Sequence, residues 1–287
     1  MELNNKEETL VAVKKNGGDL IYASKELRDD KDVVMEAVKE NGYALQFASE
    51  RLKADKDVVM VAIKNRRYAL KYASERLKND KDFILEAVSK RGSALKFASE
   101  ELQNDKDVVL EAIKNNCYAL YYASERLLND KDVILQALKE DCSALEFASD
   151  EMKNDKEVVL EAVKQYGYVL YYASDELRGD KEVVLEAVKQ DGSALRFASE
   201  ELKNDKDVVL GAVKQNGYVL QYASESLKND KDFMLEAVKN RGSALQFASR
   251  RLQTEFKEKG IKKIEKEIRE AKTDKKIEKD KGISLRL

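Results

Sequence analysis

The chain contains no histidine, no proline and no tryptophan, and only two cysteines. Without histidine it lacks the side chain most used as a general base near neutral pH and as a metal ligand. A serine–histidine nucleophile pair is therefore impossible. Without proline, helices can run uninterrupted. Two cysteines make no disulfide framework and point to a reducing compartment. An excess of one charge is missing too: 53 Lys+Arg stand against 55 Asp+Glu, a net charge of −2. That balance argues against nucleic acid and against an acidic membrane surface as partners of the whole chain. No run of about 18 apolar residues exists, so no membrane span is expected. The opening MELNNKEETL is polar and acidic, so no signal peptide is expected and the cytoplasm is the first reading of location. Leaderless secretion, as for effectors of intracellular bacteria, is the alternative.

What is present is a period. Units of 25 residues start at Asn5, Asp30, Asp55, Asp80, Asp105, Asp130, Asp155, Asp180, Asp205 and Asp230 and run without insertion or deletion to Thr254. In the second unit Asp30 is a good N-cap, because its carboxylate can accept a bond from a free helix N–H. Lys31 to Glu40 reads as a first helix with Val33, Val34, Ala37 and Val38 on one face. Gly42 is expected to end it in the left-handed conformation. A second helix is expected over about 44–53. Asn79, Asn104 and Asn129 close this second helix in their units. Helices this short are marginal alone in water, so each unit must bury its apolar face on its neighbours. The predicted fold is all-α: an α-solenoid, right- or left-handed, of ten two-helix repeats over residues 1–254.

Comparison among the ten copies shows what does not change. The leucine at Leu45, Leu70, Leu95, Leu120, Leu145, Leu170, Leu195 and Leu220 is invariant, as is the pair Ala48-Ser49 and its copies. These form the predicted structural core. The second-helix aromatic alternates Tyr72, Phe97, Tyr122, Phe147, Tyr172, Phe197, which points to duplication in pairs of units. Glu8 and Thr9 replace two valines in the first unit, as suits a polar N-terminal cap. After Thr254 the pattern breaks. Phe256, Ile261, Ile264, Ile268 and Ala271 suggest a capping helix over 255–272, and from Thr273 to Leu287 the chain reads as a charged tail, a candidate for disorder.

The stretch DKDVVMEAVKENGYALQFASERL, Asp30 to Leu52, resembles a bacterial and protist repeat family known only as a domain of unknown function. Its pattern is D-[KR]-[DE]-V-V-L-x-A-V-x-x-x-G-x-A-L-x-x-A-S-x-x-L, and the other nine units carry it with lapses. The resemblance implies a helical repeat fold and brings no activity, cofactor or catalytic residue. Arg67, Cys117 and Cys142 depart from it by replacing the turn glycine.

Each chemical candidate has a structural reading. The serine ladder is expected to bond carbonyls one helical turn back. The Asp-Lys-Asp starts are expected to cap helices, since adjacent residues on a helix point apart and cannot converge on a metal. Cys117 and Cys142 fall in the same slot of successive units; at helix spacings of about 8–10 Å a disulfide is not expected. No cofactor and no metal is expected.

The rows that vary along the constant frame are the candidate partner-binding residues. The early repeats are basic there, at Arg66, Lys71, Arg91 and Lys96, with Arg67 beside them. The middle is tyrosine-rich, at Tyr121, Tyr166 and Tyr171, with Arg196 following. Tyrosine and arginine are enriched in interface hot spots; drift on a solvated face, with Tyr122 and Tyr172 in the core, is the competing reading. A non-enzymatic scaffold binding a protein or peptide partner follows from this pattern, with single-stranded RNA recognition as the alternative.

Overall fold

Asp30 is extended (φ −83°, ψ 117°), and its carboxylate accepts from the amides of Asp32 (3.0 Å) and Val33 (3.2 Å). That cap starts a ten-residue α-helix, Lys31–Glu40, which buries Val33, Val34, Ala37 and Val38. The same long helix recurs in every repeat, capped by Asp55, Asp105, Asp180 and Asp205 among others. The computed structural model describes residues 3–140, 143–270 and 273. The chain forms two compact bodies, Met1–Met152 and Lys153–Leu287. Among the described residues each body is an all-α repeat solenoid, with the apolar faces of the repeats packed on one another. Among the described residues the one β feature is an isolated bridge between Leu3 and Ala23.

The expected second helix is not one helix. Gly42–Phe47 is a 3-10 segment. Ala48 (φ −66°, ψ 159°) and Ser49 (φ −62°, ψ 157°) are extended, and a four-residue α-helix, Glu50–Lys53, follows. The break lets the Ser49 amide leave helical geometry and donate to the Arg28 carbonyl of the preceding repeat at 2.9 Å. Equivalent bonds run Ser74 to Lys53, Ser99 to Lys78 and Ser124 to Gln103 in the first body, and Ser199 to Arg178, Ser224 to Lys203 and Ser249 to Lys228 in the second. In the first repeat the Ser24 amide donates to the Leu3 carbonyl at 2.9 Å.

The serine side chain does not bond a carbonyl one turn back. Ser99 Oγ accepts from the Leu102 amide (3.3 Å), capping the short helix, and donates to Asn79 Oδ1 of the preceding repeat (2.6 Å). Ser124 with Asn104 and Ser224 with Asn204 repeat this geometry. The asparagines that close the short helices are thus acceptors for the next repeat. Ala48 is 5% exposed and Leu45, Leu70, Leu95, Leu120, Leu145, Leu170, Leu195 and Leu220 are fully buried.

Glycine at the turn has another cause than the one expected. Gly260 is the positive-φ glycine, and it separates the helix Arg250–Lys259 from the helix over 261–270. Gly42 and Gly92 instead lie against the next repeat. A methyl built on Gly92 would overlap the Ala112 carbonyl oxygen and lie 3.0 Å from Asn116 Cβ. Where Arg67 takes this slot the side chain is exposed and the 3-10 segment begins only at Ala69. The same close approach overturns the expectation for the cysteines. Helix-axis spacing does not apply at this turn, and Cys117 is disulfide-bonded. The chain's other cysteine, Cys142, lies outside the described residues. The disulfide removes the cysteine argument for a reducing compartment.

The Asp-Lys-Asp starts do more than cap. Lys31 Nζ reaches Asp55 (2.8 Å) and Asp57 (3.1 Å) of the next repeat. Lys81 reaches Asp105 and Asp107, Lys156 reaches Asp180 and Glu182, and Lys181 reaches Asp205 and Asp207. At the C-terminal end Lys231 finds Glu255 (2.6 Å) and Glu267 (3.2 Å) in their place. Phe256 and Ile264 are buried there, whereas Ile261 is 39% exposed. Ala271, Lys272 and the tail from Asp274 lie outside the described residues. The hydrogen bond from Lys56 holds the Asp80 carboxyl below its ordinary 3.8. Burial pushes Asp55 up, but the bonds from Lys31 and the Val58 and Asp57 amides outweigh it and keep that carboxyl low. Hydrogen bonds to Asp105 and Asp107 hold Lys81 above its ordinary 10.5.

Three glycines separate the causes. Gly92→Ala overpacks the turn and is expected to lose about 1–3 kcal/mol in equilibrium unfolding. Gly242→Ala, with nothing near it in the last repeat, is expected to change stability by less than about 0.5 kcal/mol. Gly211 stands in a long helix where other repeats have Glu36 or Val61, and its missing side chain leaves a groove of about 690 Å³. A methyl there meets Val188 at an ordinary 3.6 Å, so Gly211→Ala is expected to gain about 0.5–1 kcal/mol. Equal effects at Gly92 and Gly242 would refute the close-approach account.

The lysine ladder sets the pH profile. A depressed carboxylate stabilises the fold above its ordinary value of 3.8, and this is lost as pH falls through the lower folded value. A raised lysine stabilises below its ordinary 10.5, and this is lost as pH rises through the higher folded value. Thermal melts are expected to show a plateau through neutral pH, with Tm dropping below 3.8 and above 10.5. A Tm that rises on either side would contradict the ladder.

Candidate interaction surface

The far end of the long helices, about 15 Å from the lysine ladder at 1.5 Å per residue, carries the variable rows. An aromatic ladder runs through it. Tyr43 meets Tyr72 at 6.4 Å between centroids, Tyr68 meets Phe97 at 5.9 Å, Tyr118 meets Phe147 at 6.0 Å and Tyr218 meets Phe247 at 5.9 Å. All four are edge-to-face, a favourable arrangement for aromatic pairs. In each, the residue after the turn touches the aromatic of the next repeat.

In the first body the basic candidates gather on this ladder. Lys96 Nζ lies 5.7 Å from each of the Tyr68, Phe97 and Tyr122 rings, and so spans three repeats. The Arg67 guanidinium is 5.0 Å from the Tyr68 ring and Lys71 Nζ 4.6 Å from Tyr72. Arg91 donates to the Lys64 carbonyl at 3.1 Å, and Arg66 is the exposed C-cap of Lys56–Asn65. Tyr121 is 70% exposed and packs edge-on against Tyr122 at 5.2 Å. Lys64 was not singled out by the sequence pattern. Its signal was present: Val61 stands three residues before it, where Glu36 and Glu111 pair Lys39 and Lys114 in other repeats.

In the second body the structure brings Tyr166, Tyr171 and Arg196 to one place. Tyr168, Tyr171, Tyr172, Phe197, Arg196 and Asp191 line a recess of about 370 Å³. Tyr171 leans on Phe197 at 5.2 Å and on Tyr172 at 5.1 Å, and Tyr166 lies 5.8 Å from Tyr168. The Arg196 guanidinium stacks 4.2 Å from the Phe197 ring. Asp191 accepts from the Ser193 amide at 2.8 Å, which fixes one rim. A second recess of about 390 Å³ shares Tyr171, Arg196 and Phe197 and adds Arg178 and Lys203. Tyr168, Tyr172, Asp191, Ser193 and Phe197 line the first recess but were not in the sequence's candidate set. Among the described residues no group of three or more His, Cys, Asp or Glu could hold a metal, and no helix is long and apolar enough to cross a membrane.

A family model described as Domain of unknown function (DUF4116) matches residues 5–53, 30–78, 55–103, 80–128, 130–178, 180–227 and 209–253. The chain belongs to this family. Most of these DUF4116 windows cover two successive repeats. No curated protein and no solved structure matches the chain.

If Lys96 is held by ring faces rather than by an ion pair, Lys96→Ala should cost about 0.5–1 kcal/mol and Lys96→Met less, because the stem still packs. Arg66→Ala should stay within about 0.5 kcal/mol. Chemical denaturation of the three variants checks the order; an Arg66 effect as large as that of Lys96 would speak against it.

Proposed function

We propose that this DUF4116 protein is a non-enzymatic scaffold that presents its variable rows to a protein or peptide partner. The observation that carries the reading is the tyrosine recess of the second body. Tyr171 is 56% exposed and Tyr168 44% exposed, which leaves both rings open to a partner. Large, stiff aromatic side chains beside an arginine give contact area at low entropy cost. Two adjoining recesses separated by Tyr171 and Phe197 suit successive side chains of a bound segment. The helical frame around them is held by cross-repeat bonds and supplies a rigid base.

Selection from a displayed peptide library tests this. The protein should enrich a defined set of peptides, and the double variant Tyr171→Ala/Arg196→Ala should lose at least roughly tenfold in affinity for them, as for a hot-spot pair. Alanine at Tyr166 separates the contribution of the tyrosine beside the recess, and alanine at Tyr121 that of the first body. Selected peptides that bind the double variant as well as the parent would remove the recess as the binding site.

A further inference from the structure

Repeats three and four of the first body carry seven exposed cations at the C-terminal ends of their long helices and on the following 3-10 segments: Lys64, Arg66, Arg67, Lys71, Lys90, Arg91 and Lys96. None forms a salt bridge with a described carboxylate. Many lysines elsewhere in the chain are paired. Lysines on the opposite side pair with carboxylates of the next repeat, and Lys39, Lys114 and Lys164 pair with a glutamate one turn back. The carboxylates Asp55, Asp57 and Asp80 of these two repeats are engaged at the other end of the long helices.

Two ordinary explanations fall short. A helix C-terminus presents about half a negative charge, and other repeats carry one or two cations there, so seven over two helices exceed the need. Random scatter of surface charge does not account for Lys96 and Arg67 sharing one tyrosine ring, at 5.7 and 5.0 Å. Ring faces draw the cations into one cluster, but ring quadrupoles do not neutralise their charge.

We infer that this patch binds an extended acidic segment, rich in Asp or Glu, of another protein. The inference rests on the scaffold reading and supplies the partner's chemistry at a second place on the frame. Charge complementarity carries it: seven cations without a salt bridge lie along two successive repeats, and carboxylates can accept from the arginine and lysine N–H groups that the rings leave free. Single-stranded RNA fits less well. Base stacking needs open ring faces, whereas the Tyr68, Tyr72 and Phe97 rings already carry Arg67, Lys71 and Lys96, and their edges are used in the aromatic ladder. A two-fold contact with a second copy would set one basic patch against another.

The test measures fluorescence anisotropy of labelled oligo-glutamate, oligo-lysine and oligo-uridylate on the full chain, at low and at physiological salt. The comparison proteins are the triple variant Arg67→Glu/Lys71→Glu/Lys96→Glu and a charge-matched control, Lys164→Glu/Lys189→Glu/Lys214→Glu. Oligo-glutamate is expected to bind the parent and the control alike, to weaken with salt, and to lose roughly tenfold or more in the triple variant. If circular dichroism shows the triple variant unfolded, Lys71→Glu alone is read, with a loss of about threefold expected. No oligo-glutamate binding at low salt, or equal binding by the variant, overturns the proposal. So does tighter oligo-uridylate binding that the variant loses, which would assign the patch to nucleic acid. Dimerisation of the parent abolished in the variant would assign it to a second copy. In each of these cases peptides selected on the tyrosine recess would still report separately on the scaffold reading.

Discussion

The fold depends on one backbone bond repeated every 25 residues, from a serine amide to a carbonyl of the preceding repeat. Each such bond contributes on the order of 1 kcal/mol net, and leaving the buried amide unpaired would cost more. The bond also dictates local shape. It requires the chain to leave helical geometry at Ala48 and Ser49, and so cuts what would be a second helix into a 3-10 segment and a single α-turn. The same serine then supplies the cap for that turn and a bond back to Asn or Asp. Three roles on one residue explain why no repeat varies it. They also explain the absence of insertions: one extra residue would put the serine amide, its hydroxyl and the lysine of the Asp-Lys-Asp start out of register together.

This arrangement divides the labour along each long helix. The N-terminal end is committed. Its aspartate caps its own helix and takes the lysine of the repeat before, so neither residue is free to change. The C-terminal end and the 3-10 segment carry no such obligation beyond the close-packed glycine. Variation is concentrated there, and it is there that cations in the first body and tyrosines in the second accumulate. The aromatic ladder adds a second constraint, because the ring after the turn must meet the ring of the next repeat. The Tyr and Phe alternation is the trace of that pairing in the sequence.

Much of the scaffold was legible. The long helices, their aspartate caps and the buried Leu45 series follow from apolar spacing and capping chemistry, which are local. What was misread was non-local. Gly42 looked like a left-handed helix end, yet it is small because the Ala62 carbonyl of the next repeat lies against it. Ser49 looked like an ordinary helical serine, and only the neighbouring repeat shows its partner. The disulfide at Cys117 was excluded by helix-axis spacing, which does not describe the turns. For the candidate surface, the residue types were visible in the variable rows. The convergence of Tyr168, Tyr171, Phe197 and Arg196 on one recess was not, since it depends on how Tyr171 tilts toward the next repeat.

The sequence by itself determined that the chain is a tandem helical array, which residues are held constant and which are free. Periodicity and capping act within a turn or two of helix, so they can be read residue by residue. The tertiary structure decided where the second helix breaks, why the turn must be glycine, which lysines are paired and which are left over. Those outcomes depend on atoms 20 or more residues apart in the chain being brought within hydrogen-bond distance, as Ser99 and Asn79 are at 2.6 Å, and no local pattern encodes that distance.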